Sequence, residues 1–301
     1  MNTKCTAALR AACCLFGGGI LLIGVSASAQ NLFVSGFGGN IYEFTPGGAR
    51  STFATVPTPS GLAFDSMGNL FVGGGTNGNI YEITPGGVRS TFVSGLTPAG
   101  LAFDAMGNLF VGGGTSGNIY EITPGGMQST FVSGLTPAGL AFDSMGNLFV
   151  GGGTSGNIYE ITPGGVQSTF AAGLGDPVGL AFSNAGDLFV ADVFAGNIYK
   201  FTPGGVRSTF AAGRDPTGLA FNSAGNLFVT DFGNINEYTP TGVQSVFANG
   251  MPAATYLAFQ PVPEPSTFGL LAVGTTAFLV RRRRGLPLII WKNGWTFGIP
   301  A

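Results

Sequence analysis

One tetrapeptide returns along this chain at a nearly constant interval. Gly-Leu-Ala-Phe begins at Gly61, Gly100, Gly139, Gly179 and Gly218, and Tyr256-Leu257-Ala258-Phe259 is an altered sixth copy. Successive copies lie 39, 39, 40, 39 and 38 residues apart. A fixed period of this length marks a stacked array, in which each unit buries its apolar face only against its neighbours.

The unit Gly61–Ala99 contains four short apolar runs, at Gly61–Phe64, Asn69–Val72, Asn79–Ile83 and Val88–Val93. Each is rich in β-branched and aromatic residues and bounded by turn chemistry such as Asp65-Ser66-Met67-Gly68 and Thr84-Pro85-Gly86-Gly87. Helical periodicity is absent. Four antiparallel strands per unit and six units predict an all-β, six-bladed propeller over residues 30–260. The count closes: Asn31–Val34 has no Gly-Leu-Ala-Phe before it, and the missing strand is Tyr256–Phe259. The last strand is therefore expected to complete the first blade and leave no open edge.

Gly-Asn-Leu-Phe-Val-Gly-Gly-Gly-Thr occurs at Gly68–Thr76, Gly107–Thr115 and Gly146–Thr154. A phosphate-cradling glycine loop must lead into a helix whose N-terminal amides hold the anion. Here it leads into the strand Asn79–Ile83, so the glycines are read as a joint between strands.

The pattern GLAFD..GNLFV resembles the NHL-repeat family of propellers, most clearly at Pro177–Phe182 followed by Gly186–Asp192. The resemblance implies that Gly-Leu-Ala-Phe forms the innermost strand of each blade. It also implies binding of proteins, RNA or small ligands, with a few enzymatic relatives.

Both ends read as addresses. Residues 1–29 carry Lys4 and Arg10, an apolar run Cys13–Val25 and Ala27-Ser28-Ala29 before Gln30, which predicts a signal peptide cut between Ala29 and Gln30. At the other end Pro263-Glu264-Pro265 is followed by the apolar span Thr267–Val280 and then Arg281, Arg282, Arg283 and Arg284. This order, over residues 261–284, resembles the PEP-CTERM sorting signal. That resemblance implies export, a short transmembrane helix that anchors the chain at least transiently, an exosortase-type processing enzyme as partner, and then the cell surface or extracellular matrix. Residues 285–301 depart from the pattern, whose tails end soon after the basic cluster, and have no assigned role.

Composition removes several chemistries. The chain has no histidine, so a histidine base, a Ser-His-Asp arrangement and His-ligated zinc are all excluded. Streptogramin-lyase-like activity, which depends on histidine, goes with them. Cys5, Cys13 and Cys14 all lie in the predicted signal peptide, which leaves the exported chain without a thiol. Residues 30–260 hold thirteen acids and five basic residues, a net charge of −8 with no basic stripe, which points away from nucleic acid.

The units at Gly61 and Gly100 differ only at Ser66/Ala105, Asn77/Ser116, Val88/Met127 and Arg89/Gln128. Near-copies present the same groups repeatedly, which suits an array of equivalent contacts better than a catalytic site built from different groups. Asp65, Asp104 and Asp143 read as turn residues. The hairpin turns are expected to set Glu82 opposite Arg89 and Glu43 opposite Arg50, and to bring Lys200 and Arg207 together in blade five. Blades five and six diverge: Asp176 and Asp215 precede their first strands, and Asp192 and Asp231 end their second strands where the copies have glycine. If the four gather on one face they could hold Ca2+ with added carbonyl or water ligands. The competing reading is that each caps its own turn, with Arg214 neutralising a neighbour. Loops such as Thr76-Asn77-Gly78-Asn79 offer hydrogen bonds to a glycan.

The function expected is a non-enzymatic, exported binding module that presents one propeller face to a polysaccharide or protein, with no cofactor. The alternatives are a calcium-dependent hydrolase or lyase of the gluconolactonase-like type, and a structural spacer.

Overall fold

The computed structural model describes residues 13–16, 19–22, 30–251 and 254–262. Cys13–Phe16 pairs antiparallel with Gly19–Leu22 within the predicted signal peptide. The expected anchor at 267–280 and the basic cluster lie outside the described residues. Among the described residues no helix is long and apolar enough to cross a membrane.

Residues 30–262 form a ring of six four-stranded antiparallel sheets. In blade two the strands run outward as Leu62–Phe64, Leu70–Gly73, Asn79–Ile83 and Arg89–Ser94. Blade one closes as the sequence implies: Leu257 pairs with Val34, Ala258 with Phe33 and Phe259 with Leu32. The seam is reinforced where Ser35 N–H donates to the Tyr256 carbonyl at 3.0 Å and Gln30 Nε2 to the Gln260 carbonyl at 2.9 Å.

Both faces of each blade are buried, which is why the second strands read as unbroken apolar runs rather than alternating ones. Leu70 and Val72 pack back against Phe33, Ile41 and Val56 of blade one. Phe71 and Ile80 pack forward against Leu101, Leu109 and Val111 of blade three. The second-strand phenylalanine anchors a triad repeated six times. Phe71 meets Phe92 of its own fourth strand at 5.1 Å and Phe103 of the next blade at 5.0 Å, both edge-on. Phe228 meets Phe247 and, across the closure, Phe259. Each edge-to-face contact adds about 0.5–1.5 kcal/mol beyond the area it buries.

A bulge makes the triad possible. Ile80 pairs with Val93 but Tyr81 with Thr91, so Phe92 is an extra residue in the fourth strand. The same slip falls at Phe53, Phe131, Phe170, Phe210 and Phe247. Bulges re-aim side chains, and here each turns the fourth-strand ring toward the second strand.

The first strands surround a central channel, as the resemblance implied for Gly-Leu-Ala-Phe. The blades converge so closely there that a Cβ on Gly61 would stand 2.5 Å from the Ala99 carbonyl oxygen, and one on Gly179 would run into the Thr217 carbonyl. The channel is lined by Gly100, Gly139, Gly179 and Gly218, by the first-strand leucines and by Tyr256, and encloses about 60 Å³. That is room for a water or two. A ligand of any size must therefore sit on a face or between blades.

Candidate functional site: the loop face

Antiparallel order puts two kinds of connection on each face. The loops between second and third strands and the links between blades share one, the loop face. The Asp-Ser-Met-Gly and Thr-Pro-Gly-Gly turns share the other, the turn face.

On the loop face the glycine run behaves as a joint. A Cβ on Gly113 would stand 2.8 Å from the Tyr120 ring, whose hydroxyl accepts from Asn118 Nδ2 at 3.1 Å. The same Asn–Tyr bond recurs at Tyr42, Tyr81, Tyr159 and Tyr199. A threonine latches the blade link in two of the copied blades: Thr136 Oγ1 donates to the Gly152 carbonyl at 2.7 Å, and Thr58 Oγ1 to that of Gly74 at 3.4 Å, whereas Thr97 Oγ1 accepts from Thr115 Oγ1 at 3.3 Å.

Blades five and six reverse the polarity of this latch. Asp192 is fully buried and its carboxylate accepts from Gly175 N–H at 2.7 Å, Asp176 N–H at 2.8 Å and Ala195 N–H at 3.2 Å. Asp231 accepts from Arg214 N–H at 2.9 Å, Asp215 N–H at 2.7 Å and Asn236 Nδ2 at 3.4 Å. The aspartates thus associate in two pairs, Asp192 with the backbone of Asp176 and Asp231 with that of Asp215. Among the described residues no three His, Cys, Asp or Glu side chains stand together as a metal site. The turn-capping reading describes Asp192 and Asp231. The two pairs stand on separate blades, because the ring sets successive loops one blade apart.

Asp176 is different. Its carboxylate points toward Gly153 of blade four, where a Cβ would stand 3.5 Å from Oδ1. Burial holds this carboxyl above its usual range, and the neighbouring Asp192 charge adds to the effect. A perturbed carboxyl on a loop face is a functional candidate.

Two residues escaped sequence reasoning. Phe194 and Phe232 occupy the second-to-third-strand loops of blades five and six and are 73% and 58% exposed. Phe232 also has φ +44, a left-handed conformation costly for a bulky side chain. Arg214 does not neutralise an aspartate; its guanidinium lies over the Phe232 ring at 3.6 Å. The available signal was Phe194 standing where blade four has Thr154.

On the turn face the expected cross-strand pairs are displaced by one residue. Arg89 pairs with Ile83 and Glu82 with Ser90, because the turn between them is one residue longer than a symmetric hairpin needs. Arg50, Arg89 and Arg207 consequently lie over the rings of Tyr42, Tyr81 and Tyr199. Lys200 does not face Arg207; it pairs with Asp187 at 2.6 Å. Asp65, Asp104 and Asp143 do hold their turns, each accepting two backbone N–H bonds at 2.8–2.9 Å.

The chain carries a PEP-CTERM protein-sorting motif. It spans residues 261–284, a signal for export and the cell surface that implies exosortase-type processing. A β-propeller repeat is matched over residues 51–82. No curated protein matches the sequence. Among solved structures, a chain of the nidogen/laminin complex is similar with TM-score 0.72 and 19% identity, over 78% of this chain and 100% of that one. A streptogramin B lyase is similar with TM-score 0.61 and 18% identity, over 73% and 80%. A candidate gluconolactonase follows with TM-score 0.57 and 15% identity, over 65% and 79%. At these identities the likeness is one of fold.

Proposed function

We propose that the protein is an exported, non-enzymatic binding module that holds an extracellular polysaccharide on the loop face of blades five and six. The observation that carries this reading is the exposure of Phe194 and Phe232 in equivalent loops of adjacent blades. Exposed rings beside Arg214 and Asp176 combine apolar area for the C–H faces of sugars with charged groups for their hydroxyls. The repeat is assigned to the NHL type on the GLAFD..GNLFV pattern, and the tail to a short membrane anchor that precedes release or display.

One observation favours a second reading, a hydrolase or lyase. Asp176 carries the raised carboxyl expected of a general acid or base, and two structural neighbours are a lyase and a candidate gluconolactonase. Its calcium-dependent form would recruit Asp176 and Asp215 beside Asp192 and Asp231, whose oxygens already accept backbone N–H groups.

The test uses residues 30–262, which close into a ring on their own strands. The purified propeller is mixed with exopolysaccharide from the producing cell, and both bound protein and polymer length are measured. Binding with unchanged polymer length is expected. A shortened polymer would establish the enzyme instead, and a calcium-dependent rise in melting temperature would make it calcium-dependent. Failure to bind this polymer overturns the polysaccharide assignment, leaving a protein partner or a spacer.

A further inference from the structure

The turn face carries a second feature, independent of the loop face. Between blades two and three, Phe71, Phe92 and Phe103 floor an open groove of about 300 Å³, with Glu82 on its wall. Between blades three and four, Phe110, Phe131 and Phe142 floor the next, with Glu121 on its wall. Every one of these residues is its counterpart shifted by one 39-residue period. The two grooves share the turn Asp104-Ala105-Met106 as a common ridge. Met67, Met106 and Met145 crown successive ridges at 77%, 80% and 76% exposure.

The glutamates of these copied blades are left over by a local competition. Asn69 Nδ2 donates to the turn carboxylate Asp65 at 2.8 Å, and Asn108 and Asn147 do the same to Asp104 and Asp143 at 3.0 Å. Where that aspartate is missing, the asparagine turns to the third-strand glutamate. Asn31 donates to Glu43 at 2.6 Å in blade one, and Asn226 to Glu237 at 2.7 Å in blade six. Blade five replaces the pair with Asp187 and Lys200, an ion pair at 2.6 Å. Among the described residues the carboxylates of Glu82, Glu121 and Glu160 receive neither a hydrogen bond nor a cation.

We propose that this strip of the turn face docks a basic polypeptide segment, a Lys or Arg side chain in each groove with its stem on the phenylalanines and its charge on the free glutamate. Long basic side chains bury their alkyl stems on apolar surface while the head stays polar. Flexible methionines at the ridges adapt to varied peptide surfaces, and the repeat presents the same half-site one blade further on, so adjacent weak contacts reinforce one another. An amino-sugar polymer would supply the charge but no apolar stem for the phenylalanine floor.

The probe is a short labelled peptide of repeating Lys-Leu-Ser, titrated against residues 30–262 by fluorescence anisotropy. Glu82→Gln with Glu121→Gln is expected to weaken binding about tenfold. Glu43→Gln with Glu237→Gln makes the same change of charge on the same face at glutamates already held by asparagine, and is expected to leave affinity within about twofold. Met67→Ser with Met106→Ser should also weaken it. Equal losses in the two glutamate pairs would reduce the effect to bulk attraction and overturn the proposal, as would no loss in the first pair. Displacement of the peptide by soluble polyglucosamine at a lower concentration than by unlabelled peptide would overturn the choice of partner. Thermal melts of each variant separate lost binding from lost folding.

Discussion

Blades two to four and blades five and six share one framework and differ in how their loops are tied. In blades two and four a threonine hydroxyl on the blade link donates to a glycine carbonyl, as Thr136 does to Gly152. In the divergent blades a strand-end aspartate accepts two amides from that link, as Asp192 does from Gly175 and Asp176. The first arrangement leaves a small, hydroxyl-bearing loop and can be repeated indefinitely. In the second, the tied loop carries an exposed ring, Phe194 in blade five and Phe232 in blade six. The copies leave their unsatisfied groups on the turn face instead, at Glu82, Glu121 and Glu160. Divergence and duplication have thus equipped opposite faces of one ring.

The difference in latch strength is the part of this comparison that is easiest to break. Asp192→Ala strips a buried acceptor from three backbone N–H groups and is expected to cost about 3 kcal/mol or more. Thr136→Val removes one hydroxyl bond and is expected to cost about 1 kcal/mol. Urea unfolding of the two variants measures both, and equal losses would mean that the latches are equivalent.

A smaller effect separates blade six from the rest. Tyr238 is fully buried, and its hydroxyl has no hydrogen-bond partner among the described residues. The matching positions are Phe44, Ile83, Ile122, Ile161 and Phe201. Tyr238→Phe is expected to stabilise the propeller by about 1 kcal/mol, read as a higher urea midpoint.

The smallest expected change concerns Asp176. Its folded pKa is raised, so the folded chain binds this proton more tightly than the unfolded one, and the charged form opposes folding at neutral pH. Stability from this group therefore falls as pH rises from the ordinary carboxylate range through the raised value. Asp176→Asn is expected to stabilise by less than about 1 kcal/mol at pH 7, since the carboxylate keeps some solvent. The gain should vanish below the ordinary carboxylate range, where both states are protonated. Melting temperatures across the acid range check the sign.

Much of the ring was legible because its determinants are periodic. The repeat spacing, the strand missing from the first unit and the strand found at Leu257–Phe259 needed only counting. The phenylalanines could be seen but their triads could not, since Ser-Thr-Phe-Val gives no sign that Phe92 is a bulge. The turn around Thr84–Val88 hides one residue in the same way, which moved Arg89 from Glu82 to the Tyr81 ring. The aspartates of blades five and six stand out in the sequence as the divergent acids. Their grouping was not readable, because the direction of a carboxylate depends on which backbone amides the closed loop brings to it. Phe194 and Phe232 look like core residues in a chain with 27 phenylalanines; only loop geometry puts them in water.

A pair of polysaccharide binding isotherms on residues 30–262 distinguishes the faces of the two groups of blades. One variant carries Phe194→Ala with Phe232→Ala, and the other Thr115→Ala with Thr154→Ala at the equivalent loops of the copied blades. The first is expected to lose about tenfold or more in affinity while the second stays close to the parent chain. A larger loss in the threonine variant, or no loss in the phenylalanine variant, would contradict the assignment of the binding face to blades five and six.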